Sequence, residues 1–161
     1  MHDAINGQRK DIFIYICPLC NKPTYMAEDE QIPGPTPGNR VEHLPPEIEK
    51  LFDEARRCAG DGNHTAAVLV CRKILAHLAV EKGAKENLRF IDYVEHLADQ
   101  GYLPPDGRHW VDHIRRKGNE ANHEIKLMSS DDASELISFS EMLLRFVYEL
   151  PRSIPIPPSS T

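Results

Sequence analysis

The spacing of apolar positions divides this chain into two kinds of structure. Asp11 to Cys17 reads DIFIYIC. That run is rich in β-branched and aromatic residues and predicts a strand. A Cys17-Pro-Leu-Cys20 turn follows, then a second short strand around residues 24–27. From residue 47 onward the apolar period changes to that of a helix. Ile48, Leu51, Phe52 and Ala55 mark a first helix that begins after Pro45 and Pro46 and ends at Gly60 or Gly62. Asn63 is placed to cap a second. There, Ala66, Ala67, Leu69, Val70, Ile74, Leu75, Leu78 and Ala79 surround a stripe of Arg72, Lys73 and His77. This most apolar helix should lie at the centre of the core, with Gly83 ending it.

A shorter helix carries Phe90, Ile91, Val94 and Leu97, capped by Asn87 and stopped by Gly101. Trp110, Val111 and Ile114 open another. Ser129 to Asp132 supply a cap and negative charge for the last helix, which runs from Ala133 to Leu150 and should end at Pro151. The expected organisation is a β-hairpin with a C-x-x-C knuckle over 1–28, a Pro/Gly-rich linker over 29–46, a helical bundle over 47–151, and a disordered tail over 152–161. The fold class is therefore mainly α, a bundle of four to five helices preceded by a small β zinc-knuckle.

Composition narrows the function. A chain of 161 residues with 40% hydrophobic content suits one domain with a small appendage. Its net charge of −6 does not make the whole molecule a trap for nucleic acid. A basic patch is local: Arg108, Arg115, Arg116, Lys117 and Lys126 stand near His109, His113 and His123, against Asp112, Glu120 and Glu124. No signal peptide and no bilayer-length apolar run are visible, and only Cys17 and Cys20 form a cysteine motif. Together these point to a reducing cytoplasm without a membrane partner. Phosphate-binding glycine loops, paired-histidine metal helices and nucleophile elbows are missing from the sequence.

The densest chemistry lies between Ile114 and Glu124, IRRKGNEANHE. On a helix, Arg116, Asn119 and His123 share a face, and Arg115 approaches it through Asn119. Glu120 and Glu124 lie on neighbouring lines. A guanidinium, a carboxamide and an imidazole therefore converge, with Arg115 and Glu120 in support. Gly118 costs a helix about 1 kcal/mol relative to alanine, and with Ala121 it would permit close approach of another helix or subunit. The plainer alternative is a solvated face, or a structural hydrogen-bond network around Asn119 and His123.

Cys17 and Cys20 are spaced to grip one side of a tetrahedral structural zinc. The other two ligands have three possible sources. A second copy supplies its own pair; Cys58, Cys71, His43 or His64 completes the site within the chain; or the half ribbon holds no metal.

The order of these features resembles a known family. A C-x-x-C knuckle and a Pro-rich linker precede LPPEIEKLFDEA, then AAVLVCRKIL, then IRRKGNEANHE. That order is similar to the bacterial domain of unknown function numbered 4145, found alone and fused to restriction-system subunits. The resemblance runs from about Cys17 to about Leu150. It implies a HEPN-like helical bundle, a superfamily of mostly dimeric domains, many of them metal-independent endoribonucleases of defence systems. Their motif, an arginine, four to six intervening residues and then a histidine, is matched by Arg116 and His123 with six residues between; Arg115 misses by one. Lys117 departs from the small polar residue usual after the arginine. The resemblance thus implies a homodimer, RNA as substrate and restriction or defence proteins as partners. It is equally compatible with a non-catalytic dimerisation or protein-interaction module.

Overall fold

The computed structural model describes residues 12–18, 21–27, 30–103, 107, 109–113 and 127–153. They form two compact units, one up to Pro35 and one from Thr36 onward.

The first unit is a three-stranded antiparallel sheet in the order β1-β2-β3, with β1 at Ile12–Ile16, β2 at Pro23–Ala27 and β3 at Glu30–Ile32. Ile14 lies opposite Tyr25, and Tyr25 lies opposite Ile32. Pro23 faces Ile16. The missing N–H of Pro23 costs no ladder bond, because hydrogen-bonded and non-bonded pairs alternate and the neighbouring Cys17 N–H already bonds to Lys22 O at 2.9 Å. The third strand falls in the stretch expected as linker. Its three residues carry no apolar alternation, so it exists through pairing with β2 and not through pattern.

The second unit is the helical bundle. Helix α1 is Pro46–Gly60, α2 is His64–Glu81, α3 is Phe90–Asp99 and α4 is Ser130–Leu144. As the hydropathy pattern requires, α2 is central and packs on α1, α3 and α4. Ile74, Leu75, Leu78 and Ala79 are buried there with Phe52, Val94, Leu97, Ile137, Phe139 and Leu143. Leu69, on the same apolar helix, is exposed, since a helix that is apolar nearly all round cannot bury every face. Asn87 does not cap α3. It takes φ +61° in the preceding turn, and α3 begins at Phe90, with Arg89 reaching Asp92 at 2.8 and 2.9 Å. Ser129 does cap α4 in a reciprocal box with Asp132.

The last helix does not stop at Pro151. Beyond α4 the backbone widens into a π segment, Arg145–Glu149, and then continues as a short turn, Leu150–Ser153. The Leu150 N–H bonds back five residues to Arg145 O. An α-helical proline lacks its N–H and presses on the carbonyl four residues earlier, here Val147. The wider turn just before Pro151 is one way to relieve both problems.

The stretch 36–44 belongs to the bundle. Val41 is 2% exposed and lies in its core. Both neighbouring helices hold the backbone here. Arg56 donates to Pro37 O and Gly38 O at 3.0 and 2.9 Å. Glu141 accepts the Asn39 N–H at 2.7 Å, Arg145 donates to Arg40 O at 3.0 Å, and Glu149 accepts the Glu42 N–H at 2.8 Å. The strap is therefore fixed by charged side chains on its polar backbone groups and by one buried valine.

Candidate functional site

Residues 114–126, and with them Arg115, Arg116, Asn119, Glu120 and His123, lie outside the described residues. Both flanks of this stretch are described, and both are held on the bundle. On the upstream side, residues 109–113 are helical and Val111 is buried. The Trp110 ring stacks on Phe139 with centroids 5.7 Å apart, so the only tryptophan anchors the segment as its apolar bulk predicts. His113 Nε2 lies 2.8 Å from Glu135 Oε2 on α4. A carboxylate only accepts, so Nε2 carries the hydrogen and the ring orientation is set.

Downstream, Leu127 is exposed, and the Met128 N–H donates to Thr65 Oγ1 at 3.1 Å. Thr65 belongs to the first turn of α2. Beside it, His64 Nδ1 is buried with no hydrogen-bond partner among the described residues. The described chain thus runs to His113 on α4 and resumes at Leu127 and Met128, beside the N-terminal turn of α2. Sequence reasoning singled out His113 but not Glu135. That contact spans 22 residues and joins two helices, and nothing local marks it.

The knuckle is described in part. The Asn21 N–H donates to Cys17 O at 2.8 Å, and Asn21 takes φ +53°. Asparagine tolerates this left-handed conformation better than most residues, and here it lets the chain reverse directly into β2. Cys20 lies outside the described residues. The donor set within the chain fits a metal poorly at Cys71, which is fully buried in α2. Burial pushes its thiol up to about 11, with a hydrogen bond to Ser140 partly offsetting the rise. A ligand must be a thiolate, so this environment suits a core residue and not a zinc ligand. Cys58 is half-buried and packs against the same core. His43 is held by its backbone, whose carbonyl accepts from Arg152 at 2.8 Å. Among the described residues no three metal-ligating side chains gather.

A second polar cluster went unread in the sequence. Tyr148, in the π segment, donates to Glu81 at 2.6 Å, and Lys82 reaches the same carboxylate at 2.9 Å. Lys82 Nζ also lies over the rings of Tyr102 and Tyr148, at 5.9 and 5.7 Å. His96 Nε2 meets Lys82 O at 3.1 Å. Burial raises the Glu81 carboxyl, but Tyr148 and Lys82 outweigh it and hold the group below the usual range. Burial first, then the Glu81 carboxylate, pushes the Tyr148 hydroxyl well up. Every charged group in the cluster has an answering partner, so it acts as a lock between the ends of α2 and α3 and the π segment.

The described architecture is a mainly helical bundle preceded by a small antiparallel sheet. The chain belongs to the family described as a domain of unknown function, DUF4145, whose model matches residues 53–154. That span takes in most of the bundle and the whole IRRKGNEANHE stretch, and it leaves out the sheet and the strap. No curated protein and no solved structure matches the chain.

Proposed function

We propose that this chain is a dimeric HEPN-like domain of a prokaryotic defence or restriction-type system, and that it cleaves RNA without a metal through Arg116 and His123. The observation that carries the reading is the sequence spacing of Arg116, Asn119 and His123, three and then four residues apart, within the family-matched span. The anchored flanks support it: Trp110 on one side and Met128 on the other hold the ends of that stretch to the bundle.

The chemistry needs few parts. His123 takes the proton of a ribose 2′-hydroxyl. The 2′-oxygen attacks the adjacent phosphorus, and the bond to the 5′-oxygen breaks. The partner's His123 returns a proton to that leaving oxygen. Arg116 stabilises the charge that builds on the phosphoryl oxygens, and Asn119 orients the imidazole or holds a phosphate oxygen. Arg115 and Glu120 support the face. The products are a 2′,3′-cyclic phosphate and a 5′-hydroxyl.

A second reading is favoured by Lys117, which departs from the small polar residue usual after the arginine in the resembled motif, and by the net charge of −6, which does not draw RNA to the molecule as a whole. In it the chain is a non-catalytic interaction module, and Asn119 and His123 belong to a structural network. One substitution separates the two. In the nuclease, His123→Ala abolishes cleavage and leaves dimer and melting temperature unchanged. In the module, the same change lowers the melting temperature or splits the dimer, and the wild type cuts nothing.

A further inference from the structure

The first unit contains an apolar edge that nothing described so far uses. All five residues of β1, Ile12 to Ile16, are exposed on both faces of the strand, between 53% and 70%. The strand has no charge, proline or glycine, the devices that normally protect a sheet edge. Among the described residues it pairs on one side only, with β2.

The register shows which backbone groups face outward. Cys17 N–H bonds to Lys22 O, so Cys17, Tyr15 and Phe13 turn their amides and carbonyls toward β2. Ile12, Ile14 and Ile16 therefore turn theirs to the outer edge. The side-chain order Ile-Phe-Ile-Tyr-Ile reads alike in both directions, with one aromatic exchanged for another. Phe13 and Tyr15 share a face, with ring centroids 6.2 Å apart.

From this we infer that β1 pairs antiparallel with β1 of a second copy about a twofold axis through Ile14, joining two sheets into one of six strands. In that register Ile14 meets the partner's Ile14, and Ile12 meets the partner's Ile16. The outward amides and carbonyls of all three isoleucines are satisfied at once. On one face Phe13 and Tyr15 lie opposite the partner's Tyr15 and Phe13, making a four-ring cluster. On the other face isoleucines meet isoleucines. No like charges oppose each other anywhere along the strand. A foreign strand would meet the same backbone groups but would gain nothing from the palindrome, which is what selects a second copy as occupant.

The pairing also bears on the metal. Cys17 lies three residues from the axis, so six residue steps separate the two copies of it, about 20 Å. Zinc–sulfur bonds of about 2.3 Å cannot span that gap. This dimer therefore forms without metal, and it excludes a zinc shared between two Cys17/Cys20 pairs. It builds on the dimer of the proposed function but not on the nuclease, whose residues lie elsewhere in the chain.

The test is sedimentation of the full chain, with and without EDTA, for wild type, Ile14→Lys and Ile14→Glu. The wild type sediments as a dimer in EDTA. Either variant alone places like charges across the axis and weakens the dimer about tenfold or more. Mixing the two in equal amounts restores it, which a misfolded strand would not allow. A monomeric wild type, a dimer lost with the metal, variants that dimerise as the wild type does, or a mixture that stays monomeric would each overturn the inference. RNA cleavage absent from an intact, rescuable dimer would count against the nuclease alone.

Discussion

Single side chains decide how the strap at 36–44 is held. Gly38 has φ +72°, and a Cβ there would lie 2.9 Å from Ile137 Cγ2 and 3.0 Å from Glu141 Oε2. Strain and crowding act together, so Gly38→Ala should lower unfolding stability by about 1–3 kcal/mol, read from denaturant melts. Glu141 adds a pH dependence. Burial raises its carboxyl, but the Asn39 amide and Arg145 outweigh that and hold it below its ordinary 4.5. A carboxyl depressed in the fold adds stability that is complete above its unfolded value and is lost as pH falls through the folded one. The melting temperature should therefore drop with acidification below about 4.5. Glu141→Gln should melt lower at neutral pH and show a shallower acid dependence. Equal slopes in the two proteins would contradict the assignment. Cys71 gives a third readout at this scale. Its thiol is buried and raised to about 11, so thiol reagents should label it only as fast as the bundle opens.

At the scale of elements, the helices were legible because their apolar positions recur at 3.6 residues and their ends carry chemistry. Ser129 capping α4 is an example, and Ser129→Ala should cost about 1 kcal/mol by removing the hydroxyl that accepts the Asp132 N–H, while the Ser129 backbone N–H bond to Asp132 remains. A loss no larger than that of an exposed Ser→Ala elsewhere would show that the cap contributes little. Other elements were not legible, for physical reasons. Strand β3 is three polar-leaning residues given shape by a neighbour. The strap looked like a linker because it is rich in proline and glycine, yet Val41 and the backbone bonds from Arg56, Glu141, Arg145 and Glu149 hold it. Those contacts span up to 107 residues, beyond any local pattern. Pro151 looked like a stop, but a π turn one step earlier carries the helix past it. The same turn positions Tyr148 for Glu81, a pairing across 67 residues.

At the scale of the molecule, the candidate site and the fold were legible to different degrees. The grouping of Arg116, Asn119 and His123 rests on their spacing alone, since a helix would turn that sequence distance into a shared face and the three lie outside the described residues. The contacts of the flanking residues could not be read: the His113–Glu135 pair, the Trp110–Phe139 stack and the tie from Met128 to Thr65 arise only when separate helices pack. The two proposals concern different units: the nuclease reading rests on residues of the bundle span, and the pairing of two copies rests on the sheet. The most direct test of the central claim is end-group mapping of RNA incubated with the purified wild-type chain in EDTA. The account predicts fragments ending in 2′,3′-cyclic phosphate and beginning with 5′-hydroxyl, absent when Arg116→Ala or His123→Ala replaces the wild type. Intact RNA, or cleavage that persists in both variants, would contradict it.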